Sequence, residues 1–222
     1  MRFGIARFPG SNCDQDAFHA VQDNLGEPAQ YLWHGEADTK GCDVIVLPGG
    51  FSYGDYLRCG AIARFSPLMS AIQEHAAAGG LVIGVCNGFQ ILCEAHLLPG
   101  ALIRNEETRF VCRHVTIRAQ NTRTRFTSAL QQGQLLSIPV AHGEGKYVCD
   151  EATLSALNRN DQVIFRYATP ADNINGSADD IAGIANEQFN VFGMMPHPER
   201  ACDRALGSDD GLALFKSLLK YA

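Results

Sequence analysis

Apolar residues in the first half of the chain fall in short unbroken runs. Val44-Ile45-Val46-Leu47 and Leu81-Val82-Ile83-Gly84-Val85 do not alternate with polar positions, which fits strands covered on both faces. Arg2 to Arg7, Ala29 to Trp33 and Asp43 to Leu47 read as three strands, and the run ending at Cys86 as a fourth. Between and after them the spacing changes to that of one helical face. Phe18, Val21 and Leu25 predict a helix that Ser11 or Asn12 can cap. Ile62, Phe65, Met69, Ile72 and Ala76 predict another, ending at Gly79-Gly80, and Phe89, Leu92 and Cys93 predict a third directly after Cys86. Strand alternating with helix implies an α/β, doubly wound, mostly parallel central sheet flanked by helices, with ligands at the carboxyl ends of its strands.

The second half changes character. Phe110 to Arg118 and Leu135 to Ala141 read as strands joined by polar turns, so a small antiparallel extension is expected. Glu151 to Asn158 reads as a helix, Val163 to Ala168, Ile181 to Asn186 and Val191 to Met195 as strands, and Asp209 to Lys220 as a terminal helix with Leu212, Phe215 and Leu219 on one face. The polar Gly/Asn-rich stretch Thr169 to Asp180 reads as a surface excursion. Without a repeat, low-complexity tract or linker, residues 1–222 are expected to form a single domain.

Composition narrows the function. With 222 residues, 46% hydrophobic and 19% charged, the chain can bury a large core. Its net charge of -6 gives no long-range attraction toward nucleic acid or anionic membrane. The eight cysteines form no CxxC pair and no Cys/His cluster with zinc spacing, so no metal is expected. There is no run of 18 apolar residues and no signal-like start, so a cytoplasmic protein with reduced thiols is expected.

Cys86 then stands out. Gly84 and Gly88 flank it at minus two and plus two, which suits a sharp strand-to-helix corner of the nucleophile-elbow kind. The first turn of the following helix lies under the thiol, where free N–H groups and the helix dipole favour thiolate and oxyanion. A buried structural cysteine is the plainer alternative. A base is also needed, with an acceptor to orient it. His197 follows an apolar strand in Met195-Pro196-His197-Pro198-Glu199, whose two prolines stiffen the turn so that Glu199 can accept from one imidazole nitrogen while the other faces sulfur. A solvent-facing turn histidine is the alternative. The N–H of Asn87 and one from the Gly49-Gly50 turn are candidate oxyanion donors, unless that turn is only a tight connection.

Gly84-Val85-Cys86-Asn87-Gly88 with Pro196-His197-Pro198-Glu199 resembles the Cys-His-Glu triad of class I glutamine amidotransferases. Within that family, Phe8 to Asp14, Pro48 to Ile62 and His142-Gly143-Glu144-Gly145 resemble the glutaminase subunits of phosphoribosylformylglycinamidine synthases. The resemblance implies that Cys86 attacks the glutamine carboxamide, that His197 moves the protons and Glu199 fixes its tautomer, that Gln90 lines the glutamine pocket, and that Gly50 and Asn87 donate to the oxyanion. It further implies ammonia delivery to a large synthetase subunit of de novo purine biosynthesis, with a small third subunit left open. ATP and magnesium belong on that partner. This chain is expected to carry no cofactor, and it lacks a GxxxxGK[ST] segment. One departure is Ile174, where the family pattern has proline. A stand-alone cysteine hydrolase, such as a γ-glutamyl peptidase or a DJ-1-like protein, and a non-catalytic binding module are the competing readings.

Overall fold

The structure, a computed structural model, describes residues 1–220. Eleven strands and five helices occur among them. The strands are β1 (Phe3–Arg7), β2 (Ala29–Trp33), β3 (Val44–Leu47), β4 (Leu81–Val85), β5 (Ala101–Ile103), β6 (Val111–Ala119), β7 (Leu135–His142), β8 (Lys146–Val148), β9 (Val163–Tyr167), β10 (Ile181–Ala185) and β11 (Val191–Met194). The helices are α1 (Asp14–His19), which continues as a wider turn over Ala20–Leu25, α2 (Pro67–Ala77), α3 (Asn87–Glu94), α4 (Glu151–Arg159) and α5 (Leu212–Leu219).

Nine strands form one sheet in the order β2-β1-β3-β4-β11-β10-β9-β6-β7. From β2 to β11 every pairing is parallel, and from β11 onward every pairing is antiparallel. β5 and β8 make a separate antiparallel ribbon. The continuous runs behave as expected: Val44 to Leu47 are all fully buried, and Leu81 to Val85 are buried throughout. The carboxyl ends of β1, β3, β4 and β11 therefore meet at one edge of adjacent parallel strands, where doubly wound sheets carry their sites.

Several local expectations are corrected. Neither Ser11 nor Asn12 caps α1. Cys13 takes that position without a side-chain cap, and the Ser11 hydroxyl accepts instead from the Phe8 N–H (3.1 Å). Helix α2 begins at Pro67 rather than Ile62, because Ser66 before the proline is held extended (φ −68°, ψ 150°). Phe65 consequently leaves the helical face and is exposed. The stretch Thr169 to Asp180 is not simply a surface excursion. Asn175 and Ser177 are buried, and the Asn175 amide donates to the Gly145 carbonyl (2.7 Å) and the Tyr167 hydroxyl (2.9 Å). β5 and β8, three residues each, are too short for periodicity to show.

The fold closes tightly where β3, β4 and α3 meet. A Cβ on Gly88 would lie 1.9 Å from the Leu47 carbonyl oxygen, and one on Gly84 would lie 2.7 Å from the Gly88 backbone. Both glycines are demanded by close approach, not by backbone freedom. Gly88→Ala is accordingly expected to cost more than about 2 kcal/mol of folding stability through overpacking. Urea unfolding of the variant should show this, and a midpoint unchanged from wild type would contradict it.

Candidate active site

Cys86 sits at the corner between β4 and α3 with φ 51° and ψ −105°. A non-glycine residue in that region costs about 1–3 kcal/mol and persists only where its surroundings enforce it. The enforcement is visible. The Cys86 N–H donates to the Met194 carbonyl on neighbouring β11 (2.8 Å), and the two crowded glycines on either side leave α3 no other path. The sulfur is thereby turned off the strand, 3.8 Å from the Ala141 carbonyl oxygen at the end of β7.

His197 and Glu199 leave the end of β11, which runs parallel to β4 with Met194 beside Val85. The His197 N–H is tied to the Pro139 carbonyl (2.8 Å), and its Nδ1 lies 2.6 Å from Glu199 Oε1. Both residues are buried. A carboxylate only accepts, so Nδ1 carries the hydrogen and Nε2 keeps its lone pair in the neutral ring. Burial opposes a charge on His197. Attraction to Glu199, then to Cys86, together with the closeness of the Cys13 and Cys86 sulfurs, outweighs it and raises the imidazole well above its ordinary range. The imidazole is also wedged from above, since a Cβ on Gly49 would lie 2.6 Å from His197 Cε1.

Gly50 and Asn87 occupy the same corner. Gly50 has φ 138°, and a Cβ there would lie 2.5 Å from the Asn12 nitrogen and 2.6 Å from the Gly10 carbonyl oxygen. The loop after β1 thus braces the loop after β3 from behind, with Phe51 N–H donating to Gly10 (2.8 Å), Tyr53 N–H to Pro9 (2.6 Å) and Cys13 N–H to Gly49 (3.2 Å). Asn87 opens α3, so its N–H has no partner within the helix. Its side chain is a strut. Oδ1 accepts from the Ser52 N–H (3.2 Å) and Nδ2 donates to Gln90 Oε1 (2.9 Å). Gln90 lines the cavity, but both ends of its amide are engaged, because Nε2 donates to the Glu144 carbonyl (2.5 Å). It holds the loop that follows β7.

Together these residues enclose a cavity of about 200 Å³ lined by Gly50, Phe51, Asp55, Cys59, Cys86, Gln90, Phe110 and Ala141 to Glu144. One end is acidic. Burial raises Asp55, against a hydrogen bond from Cys59, and Glu144 raises it further. Burial and the same two carboxylates push the Cys59 thiol up, so it stays protonated. His142 is the second buried histidine. Asn105 donates through Nδ2 to the Arg109 and His142 carbonyls (2.8 and 3.0 Å), so its Oδ1 accepts, from Gly145 N–H (2.9 Å) and from His142 Nδ1 (3.1 Å). Burial, then repulsion from His197, lowers His142 to about 4.

A glutamine amidotransferase domain of the CobB/CobQ-like type matches residues 1–220. The chain belongs to this family. Among solved structures it is similar to PurLQS from Thermotoga maritima, with 43% identity over 99% of this chain and 98% of that one and a TM-score of 0.90. Two remote structures agree in architecture. A glutamine amidotransferase from Thermotoga maritima gives 15% identity, 100% and 97% coverage and a TM-score of 0.63. The Trypanosoma brucei CTPS glutaminase domain with bound acivicin gives 14%, 99% and 94%, and 0.61. The protein is thus an enzyme of the glutamine amidotransferase type. Among the described residues no helix is long and apolar enough to cross a membrane.

Asp55, Cys59, His142 and Glu144 lay inside the segments that carried the resemblance, without a role. Asn105 and Asn175 gave no sequence signal at all.

Two outcomes are expected. Gly49→Ala should displace the imidazole and cut the turnover of the folded protein for glutamine at least about a hundredfold; steady-state kinetics corrected for the folded fraction from thermal melting decide it. His142, held neutral in the fold, stabilises fully above about pH 6.5, and this is lost as pH falls from there through about 4. The whole effect is on the order of 3 kcal/mol. NMR titration should leave the His142 ring neutral at pH 5.5, and a midpoint near 6.5 would contradict the burial argument.

Proposed function

We propose that the chain is the glutaminase subunit of a phosphoribosylformylglycinamidine synthase, hydrolysing glutamine to glutamate and ammonia through a thioester on Cys86. The observation that carries the mechanism is the buried His197–Glu199 pair beside a cysteine on a strained corner. His197 takes the thiol proton, and the Cys86 sulfur attacks the carboxamide carbon. The tetrahedral oxyanion is met by the N–H groups of Gly50 and Asn87. On collapse the C–N bond breaks, and the imidazolium gives its proton to the departing ammonia. His197 then takes a proton from water, whose oxygen attacks the thioester and releases glutamate and the sulfur. Glu199 holds the tautomer throughout. Asp55 and Glu144 line one end of the cavity, and an α-ammonium of glutamine bound there would favour the ionised form of Asp55 that burial alone opposes.

The 43% identity to PurLQS over nearly the whole chain, together with the resemblance of the Phe8, Pro48 and His142 segments, supports the purine-pathway assignment. Ammonia from this site needs an acceptor, and the reading places it on a large synthetase subunit that binds ATP and magnesium, in the cytoplasm. A small third subunit is compatible with it. Exposed Phe51, Tyr56, Leu57 and Phe110 surround the mouth of the cavity or neighbour it in the chain, a surface suited to a partner that covers the site.

In the assembled complex, Cys86→Ala should abolish glutamine-dependent synthesis and preserve synthesis from added ammonia. Appreciable glutamine-dependent turnover in that variant would remove Cys86 from the role of nucleophile. The loop from Phe51 to Leu57 carries positive φ at Tyr53, Asp55 and Leu57 (55°, 54° and 71°), so it is a natural element for a partner to reset. The isolated chain should therefore turn glutamine over at least about tenfold more slowly than the complex. Equal turnover numbers in steady-state kinetics would leave such gating without support.

A further inference from the structure

We propose that Cys13, His197 and Glu199 form a site for a zinc-class divalent cation whose occupation reversibly silences the glutaminase. No spacing in the sequence announces it, because the three residues come from the β1 loop and the β11 turn. In the fold, Cys13 Sγ, one imidazole nitrogen of His197 and one carboxylate oxygen of Glu199 lie within 4.8 Å of one another. All three side chains are more than nine-tenths buried. Thiolate, imidazole and carboxylate together are the donor set that zinc selects.

A second observation points to a ligand. His197 Nε2 and Glu199 Oε2 are both buried without a hydrogen-bond partner, and buried polar atoms are ordinarily partnered. There is also a way in. A cavity of about 570 Å³ behind the pair is lined by Glu199 and Arg200, with His19 and His114 along its walls. The charges balance on binding. The Cys13 thiol and the His197 ring each give up a proton to solvent, so that a ring nitrogen has a lone pair for the ion and the thiolate and Glu199 offset its two charges, and Arg200 remains paired with Asp16 (2.9 Å). Arg200 Nη2, which donates to the Cys13 sulfur at 3.1 Å, is released in exchange.

Whichever ring nitrogen the ion takes, the imidazole can no longer relay protons as the proposed mechanism requires. That consequence rests on the glutaminase reading, whereas binding itself does not. Cobalt(II) titration of the purified metal-free full-length chain tests binding through its thiolate charge-transfer band. One equivalent should produce the band in wild type and in Cys86→Ala, zinc should displace it, and Cys13→Ala and Cys13→Ser should lack it. Measured against each protein's own metal-free turnover, the zinc concentration for half-inhibition should rise at least tenfold in Cys13→Ala. A band that survives in both Cys13 variants but vanishes in Cys86→Ala would place the ion on the other thiol and overturn the site. Wild-type zinc sensitivity in a folded Cys13→Ser would overturn the switch, even if the cobalt band behaved as expected.

Discussion

The contact between the Gly88 backbone and the Leu47 carbonyl is the constraint from which the site follows. It brings α3 so close to β3 that no side chain fits between them, and it fixes the direction in which the chain leaves β4. Cys86 then has one conformation available, at positive φ. The strain is not stored in the cysteine alone. It is distributed over the parallel strands on either side, whose buried aliphatic faces would all have to part before the corner could relax. A thiol held in this way keeps one orientation.

The electrostatics follow from the same packing. Two histidines lie near one another in the interior and are driven in opposite directions. His197 has a carboxylate at 2.6 Å and a sulfur on its other side, and these partners outweigh the cost of burying its charge. His142 has only neutral partners, from Asn105 and the backbone, so burial decides and the ring stays neutral. Divergent environments around paired titratable groups are how one fold separates their duties. A neutral His142 adds no competing positive charge near His197, and it spends its Nδ1 hydrogen on ordering the loop beyond β7.

The strands and helices of the first half were legible because their apolar runs are unbroken and their turns are marked by glycine. Cys86, His197 and Glu199 were legible because each sits in a segment whose glycines or prolines make no sense as ordinary structure. What stayed hidden was tertiary. The start of α2 turned on the backbone of one residue, Ser66, before a proline. The roles of Asn87 and Gln90 side chains depend on hydrogen bonds to residues 35 and 54 positions away, which no periodicity encodes. Asn175 looked like loop composition, yet its amide is buried against Gly145 and Tyr167.

Those hidden side chains join two loops through α3 that the sheet alone would leave independent. Ser52 after β3, Asn87 and Gln90 on α3, and Glu144 after β7 form a continuous hydrogen-bonded line across the cavity. The β1 loop supports the Gly50 peptide from the far side. The inner edge of the Phe51 to Leu57 loop is therefore fixed to the catalytic helix while its outer residues, Tyr56 and Leu57, are exposed. A body pressing on the outer edge cannot move it without pulling on Asn87, whose N–H stands next to the sulfur. The exposed end of the loop and the start of α3 are in this way coupled through the Ser52–Asn87 hydrogen bond.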